Sequence, residues 1–195
     1  ALSLRGHHDS KPVENLGKVS IVDYVEDVED VLRYFTREHI HSPIVVGRSM
    51  GGLIVQLVAD WDPSIPGVVL TNSAPSHGIF PGNRHTLLRY WKPPYLLATA
   101  LKGPLQSQRG DMMSLVFNNM SREEAETIFP QLVPESGLAT RELALWWLFG
   151  KKTKIHCPVL VIGATQDRLT PVRIQKEIAR KYNAHYQEFP GAHAL

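Results

Sequence analysis

The stretch Ile44-Val45-Val46-Gly47-Arg48-Ser49-Met50-Gly51-Gly52 constrains the possible fold more than any other part of the chain. Its first three residues are an apolar β-branched run, the composition of a buried strand. Downstream, Met50, Leu53, Ile54, Leu57, Val58 and Trp61 recur at i, i+3, i+4, i+7, i+8 and i+11, the period of a helix with one apolar face. Between the two lies a G-x-S-x-G string. Glycines two residues before and after Ser49 relieve steric clash in a sharp turn that forces the serine into a strained backbone conformation. The spacing therefore predicts strand, tight turn and helix, with the Ser49 hydroxyl presented clear of the sheet. Glycine and serine are also ordinary turn residues, so the string alone is equally consistent with a plain strand-to-helix connection.

Two later segments repeat the theme of a strand running into a polar turn. Val159-Leu160-Val161-Ile162-Gly163-Ala164-Thr165-Gln166-Asp167 ends on a carboxylate, and Arg168-Leu169-Thr170-Pro171 then opens a helix with Thr170 as expected N-cap and Pro171 as its first residue. Tyr186-Gln187-Glu188-Phe189-Pro190-Gly191-Ala192-His193 is a shorter strand whose turn carries a histidine. Serine, aspartate and histidine thus follow in order, each after a strand. Asn72 and Ser73 follow the apolar strand Val68 to Leu70, but an amide cannot supply the negative charge that stabilises an imidazolium. His77-Gly78 reads as a surface turn bordering the pocket at most, and His156 and His185 as structural or solvated residues.

In this order and spacing the chain resembles the α/β-hydrolase family, whose acid and base sit on loops at the carboxyl ends of late strands. The resemblance extends over nearly all 195 residues. Leu2-Ser3-Leu4-Arg5-Gly6-His7-His8-Asp9-Ser10 is similar to the family's strand and R-G-H-G-x-S turn, with His8 where glycine is usual, and Arg48 stands where histidine or an aromatic is frequent. A serine hydroxyl is a poor nucleophile at neutral pH and needs a base, which in turn needs a group fixing its tautomer. The resemblance implies Ser49 as nucleophile, His193 as general base and acid, and Asp167 as the orienting carboxylate. The backbone N–H of Met50 is the implied oxyanion donor. Compared with the family, the chain is expected to lack the three first strands, the closing helix and the second oxyanion donor, and to self-associate through an incomplete sheet.

Composition fits an enzyme core, with 43% hydrophobic and 21% charged residues and no run long enough to span a bilayer. A net charge of +2 with dispersed Lys and Arg argues against nucleic-acid binding, and nine scattered histidines lack metal-ligand spacing. Neither a cofactor nor a metal is expected. Cys157 is the single cysteine, so no internal disulfide forms, and its place before an apolar strand predicts a buried thiol. The compartment is left open.

Strands alternate with helices, which predicts a mostly parallel sheet with helices on both faces. Ser20-Ile21-Val22-Asp23 has the form of a capping box, followed by an apolar face of Tyr24, Val25, Val28, Val31, Leu32 and Phe35. Residues 1–75 and 153–195 are the expected core, and 76–152 an inserted helical cap. In that insert, Ser121-Arg122-Glu123-Glu124 opens a helix ending before Pro130, and Leu143, Trp146 and Trp147 lie on another that stops at Gly150. Trp91, Tyr95, Met112, Met113, Phe117 and Met120 make it rich in apolar side chains, which favours a rather apolar acyl or aryl ester of small or medium size. The same three residues also serve thioester hydrolysis, carbon–carbon bond hydrolysis or peracid formation, and a non-catalytic relative or inactive fragment binding a ligand or partner is the alternative from another class.

Overall fold

The computed structural model of the chain describes residues 1–40, 43–83, 85–86 and 92–194. Helix α1 (Ile21–Arg37), strand β1 (Val45–Arg48), helix α2 (Met50–Trp61) and strand β2 (Val68–Thr71) come first. Helix α3 (Pro93–Leu101), strand β3 (Pro104–Leu105), helices α4 (Arg109–Leu115) and α5 (Arg122–Ile128), strand β4 (Glu135–Ser136) and helix α6 (Gly137–Phe149) follow. Strand β5 (Val159–Ala164), helix α7 (Val172–Tyr182) and strand β6 (His185–Phe189) close the order.

The main sheet has the order β1-β2-β5-β6 and every pairing in it is parallel. Its register places Gly47, Leu70, Val161 and Tyr186 on one face. That face carries α2 and α7 together: a Cβ on Gly47 would meet Val55 of α2, and one on Gly163, two residues beyond Val161, would meet Gln175 of α7. Helix α1 packs against α2. The expectation of helices on both faces is therefore corrected, because among the described residues these three flanking helices share one face. Alternation records the difference: Val68, Leu70, Val159 and Val161 are buried, whereas Val69, Leu160 and Ile162 on the other face are only partly so. Strand β1 is an edge, with Ile44 and Val46 more than 60% exposed (64% and 63%). The strand expected at Leu2 to Leu4 does not form either, since these residues pair with no neighbouring strand among those described.

Local chemistry explains the helices beside the elbow. Ser20 accepts from the Asp23 N–H at 3.1 Å while Asp23 accepts from the Ser20 N–H at 2.7 Å, so the capping box starts α1, and Ile21, Tyr24 and Val25 are buried below it. In α2 the run from Gly52 to Ala59 is buried, each large side chain contributing about 1.5–3 kcal/mol of hydrophobic stabilisation. A Cβ on Gly47 would stand 2.4 Å from the Gly51 carbonyl oxygen, and one on Gly52 only 2.1 Å from Ser73 Oγ, while nothing described lies within 4 Å of one on Gly51. The close packing after Ser49 thus falls on Gly52, one residue beyond the G-x-S-x-G string. Gly52→Ala is expected to cost about 1 to 3 kcal/mol by overpacking, whereas Gly51→Ala leaves stability unchanged or raises it by about 0.5 to 1 kcal/mol as a helical glycine is replaced. Denaturant melts of the two variants check this.

Between β2 and β5 the chain builds helices and the short antiparallel β3–β4 ribbon. Capping by Ser121, with Glu124 in return, starts α5, and α6 ends at Gly150 as the residue types require. Tyr95 and Phe117 are buried here, Met112, Met113 and Met120 partly so, and Trp91 lies outside the described residues. This segment is tied to the N-terminal region, where Ser136 Oγ donates to the Val19 carbonyl before α1 and the Tyr24 hydroxyl of α1 donates to Glu135 at 2.6 Å. The ends of the segment meet at α7, where Ser76 Oγ lies 2.7 Å and Thr153 Oγ1 3.1 Å from Lys181 Nζ. Among the described residues no helix is long and apolar enough to cross a membrane.

Candidate active site

Ser49 sits between β1 and α2 with φ 52° and ψ −124°, a left-handed conformation that costs a non-glycine residue about 1 to 3 kcal/mol. The surrounding backbone holds it there. The Ser49 N–H donates to the Thr71 carbonyl, and its own carbonyl accepts from Gly52 at 2.9 Å and Ala74 at 2.8 Å. Ser49 is half-buried, and Met50 next to it is the first residue of α2, so the Met50 N–H has no partner within the helix.

Ser49 Oγ stands 2.9 Å from Nε2 of His193, and Nδ1 of His193 stands 2.8 Å from Oδ2 of Asp167. All three sequence-predicted side chains therefore meet at the carboxyl ends of the strands. A carboxylate at Nδ1 makes that nitrogen the donor, which leaves the Nε2 lone pair facing the serine hydroxyl. The Asp167 side chain is fully buried and that of His193 is 5% exposed. Asp167 Oδ1 accepts from the N–H groups of Leu169 and Thr170, and Thr170 Oγ1 donates to Oδ2. Burial pushes the Asp167 carboxyl up, but the His193 hydrogen bond and charge, with the Thr170 donors, outweigh it and hold the group below its ordinary value. Its loop is coupled to the histidine turn by Gln166 N–H donating to the Gly191 carbonyl at 2.8 Å.

Thr170 is not the helix cap expected from its position. Pro171 is the N-cap of α7, and the Thr170 hydroxyl instead serves Asp167 and the Asn72 carbonyl, 3.3 Å from His193 Nδ1. Asn72 is a second residue whose place was not foreseen: it is fully buried with φ 42° and bonds both to β5 and to the histidine turn. The segment from Ser114 to Asn118 docks on the same loops. Ala194 N–H donates to the Val116 carbonyl, Asn118 Nδ2 to Gln166 O, and Arg168 to Ser114 O.

The remaining candidates lie elsewhere. His77 is in a turn whose carbonyl accepts from Lys181, and His156 and His185 are exposed. Cys157 is half-buried rather than buried, since it precedes β5 instead of lying inside it, and burial still pushes its thiol up.

Residues 1–195 match the model of the alpha/beta hydrolase family. No curated protein matches the chain. Among solved structures it is similar to an extracellular alpha/beta-hydrolase from a Paenibacillus species at 17% identity, covering 98% of this chain and 78% of that one with a TM-score of 0.72. A monoacylglycerol lipase from Paleococcus ferrophilus is 19% identical over 98% of this chain and 73% of its own, with a TM-score of 0.70. A thermophilic esterase from Thermogutta terrifontis is 17% identical over 97% and 70%, with a TM-score of 0.68. Likeness at such identities speaks for the fold, and the match of the family model over the full length decides the rest: the chain belongs to the alpha/beta hydrolase family.

Proposed function

We propose that the protein is a serine hydrolase that cleaves a small or medium, rather apolar acyl or aryl carboxylic ester through an acyl-enzyme on Ser49. One observation carries the reading: the unbroken hydrogen-bonded chain from Ser49 Oγ through His193 to the buried Asp167 carboxylate. His193 Nε2 takes the hydroxyl proton as Ser49 Oγ attacks the ester carbonyl, and Asp167 stabilises the imidazolium without itself taking a proton. The oxyanion of the tetrahedral intermediate receives the Met50 N–H at the start of α2. Collapse breaks the bond to the alcohol, which leaves with the proton from Nε2. Water then repeats the sequence on the acyl-enzyme and releases the acid.

Residues 76–152 act in this reading as a cap on a core of 1–75 and 153–195. The bonds from Ser114, Val116 and Asn118 to the loops of Asp167 and His193 support that placement. The apolar side chains of the cap favour uncharged acyl groups. Structural neighbours named as an esterase and a lipase support an ester over a thioester or a carbon–carbon bond. A panel of p-nitrophenyl esters from acetate to octanoate, matched thioesters and a β-diketone tests it. Hydrolysis of the esters is expected at least tenfold faster in kcat/KM than of the matched thioesters, and a preference for either other class overturns the ester reading.

A further inference from the structure

The backbone carbonyl of His193 is gripped by two side chains that do not touch the serine hydroxyl. Arg48, the last residue of β1, donates a guanidinium hydrogen bond to it. Asn72, one residue past β2, directs its amide to the same oxygen at 3.4 Å and to the Ala192 carbonyl at 3.2 Å. Arg48 lies opposite Thr71 in the sheet register, so the two donors leave adjacent strands side by side. The other end of the Asn72 side chain accepts from the Ala164 N–H at 2.8 Å, and its own N–H donates to Ile162. One buried amide thereby joins the end of β5, which leads to Asp167, to the turn that carries His193.

We propose that Arg48 and Asn72 are positioning residues for His193: together they clamp its main chain so that Nε2 stays in reach of Ser49. The inference rests on the reading of His193 as the general base. A base that must both accept and return a proton works only within narrow geometric limits, and a displacement of about 1 Å costs on the order of a hundredfold in rate. The rest of the turn is held by Gln166 N–H on the Gly191 carbonyl and Ala194 N–H on the Val116 carbonyl, and the two side chains add the grip on His193 itself. The groups meeting the His193 residue are Arg48 from β1, Ser49 from the elbow, Asn72 from beyond β2, and Asp167 and Thr170 from the loop before α7. Asp167 and Arg48 are the charged ones among these. Arg48 is an exposed residue, and what it brings to the site is a guanidinium donor at the His193 carbonyl.

Arg48→Met, Arg48→Lys and Asn72→Ala in the full chain test the clamp. Arg48→Met is expected to lower kcat about 10-fold with KM within twofold, because a donor at the His193 carbonyl is gone. Arg48→Lys, which keeps a donor there, restores most of kcat. Asn72→Ala lowers kcat about 10- to 100-fold with KM within twofold. An Arg48→Met protein with the wild-type kcat overturns the proposal, and this holds even if Asn72→Ala does not fold. The NMR chemical shift of the His193 Nδ1–H proton in wild type and Arg48→Met needs no turnover. A difference there in a protein without esterase activity keeps the clamp and removes the ester reading, and no difference removes the clamp whatever the activity.

Discussion

Ser49→Ala is expected to lower ester turnover on the order of a millionfold, the scale seen when a serine hydrolase loses its nucleophile. The substitution keeps a Cβ, so the strained backbone at φ 52° is neither relieved nor worsened, and the bonds of the Ser49 main chain to Thr71, Gly52 and Ala74 remain. What disappears is the single hydroxyl 2.9 Å from His193 Nε2. Circular dichroism and a thermal melt close to those of the wild type, with residual rates at the level set by binding alone, make the result a statement about chemistry. A folded variant that still hydrolyses esters places the nucleophile elsewhere.

Asp167→Asn gives the second largest effect, on the order of ten-thousandfold in kcat, by reversing the imidazole rather than by removing a contact. Asparagine keeps an oxygen where Oδ1 accepts from Leu169 and Thr170, so the loop holds its turn. At Oδ2, however, an amide N–H faces Nδ1, and Nδ1 must then accept, which puts the proton on Nε2 and aims a donor at Ser49. Loss of the negative charge also leaves the imidazolium formed during attack without its buried counter-ion. Steady-state kinetics show the fall in kcat. An unchanged rate in a folded Asp167→Asn protein moves the acid to another residue.

Strand, turn and helix around Ser49 are legible in the sequence because the signals are local: β-branched residues, small turn residues and a helical period within one run of residues. The same is true of the capping boxes at Ser20 and Ser121, whose partners lie three residues away. Order alone marks Asp167 and His193, while their meeting with Ser49 depends on β1, β5 and β6 ending at the same edge of one sheet with β2 between the first two. Asn72 gives no such signal. Its side chain acts on Ala164 and His193, 92 and 121 residues further on, and only the register of β2 against β5 brings them together. Thr170 reads locally as a cap, but a nearby carboxylate competes for its hydroxyl and wins. The face of the sheet that carries the helices is likewise set by how α2 and α7 pack across Ser73, where Gly52 and Gln175 both meet it, and alternation of apolar residues does not reveal it.

The most direct measurement is reaction of the folded wild-type chain and of Ser49→Ala with a fluorophosphonate probe, followed by peptide mass mapping. Such a probe reports an activated serine without requiring the right substrate. Covalent label on the peptide containing Ser49, absent from Ser49→Ala, is the expected result. A folded wild-type chain that takes up no label, or takes it up at another residue, contradicts the assignment of Ser49 as nucleophile.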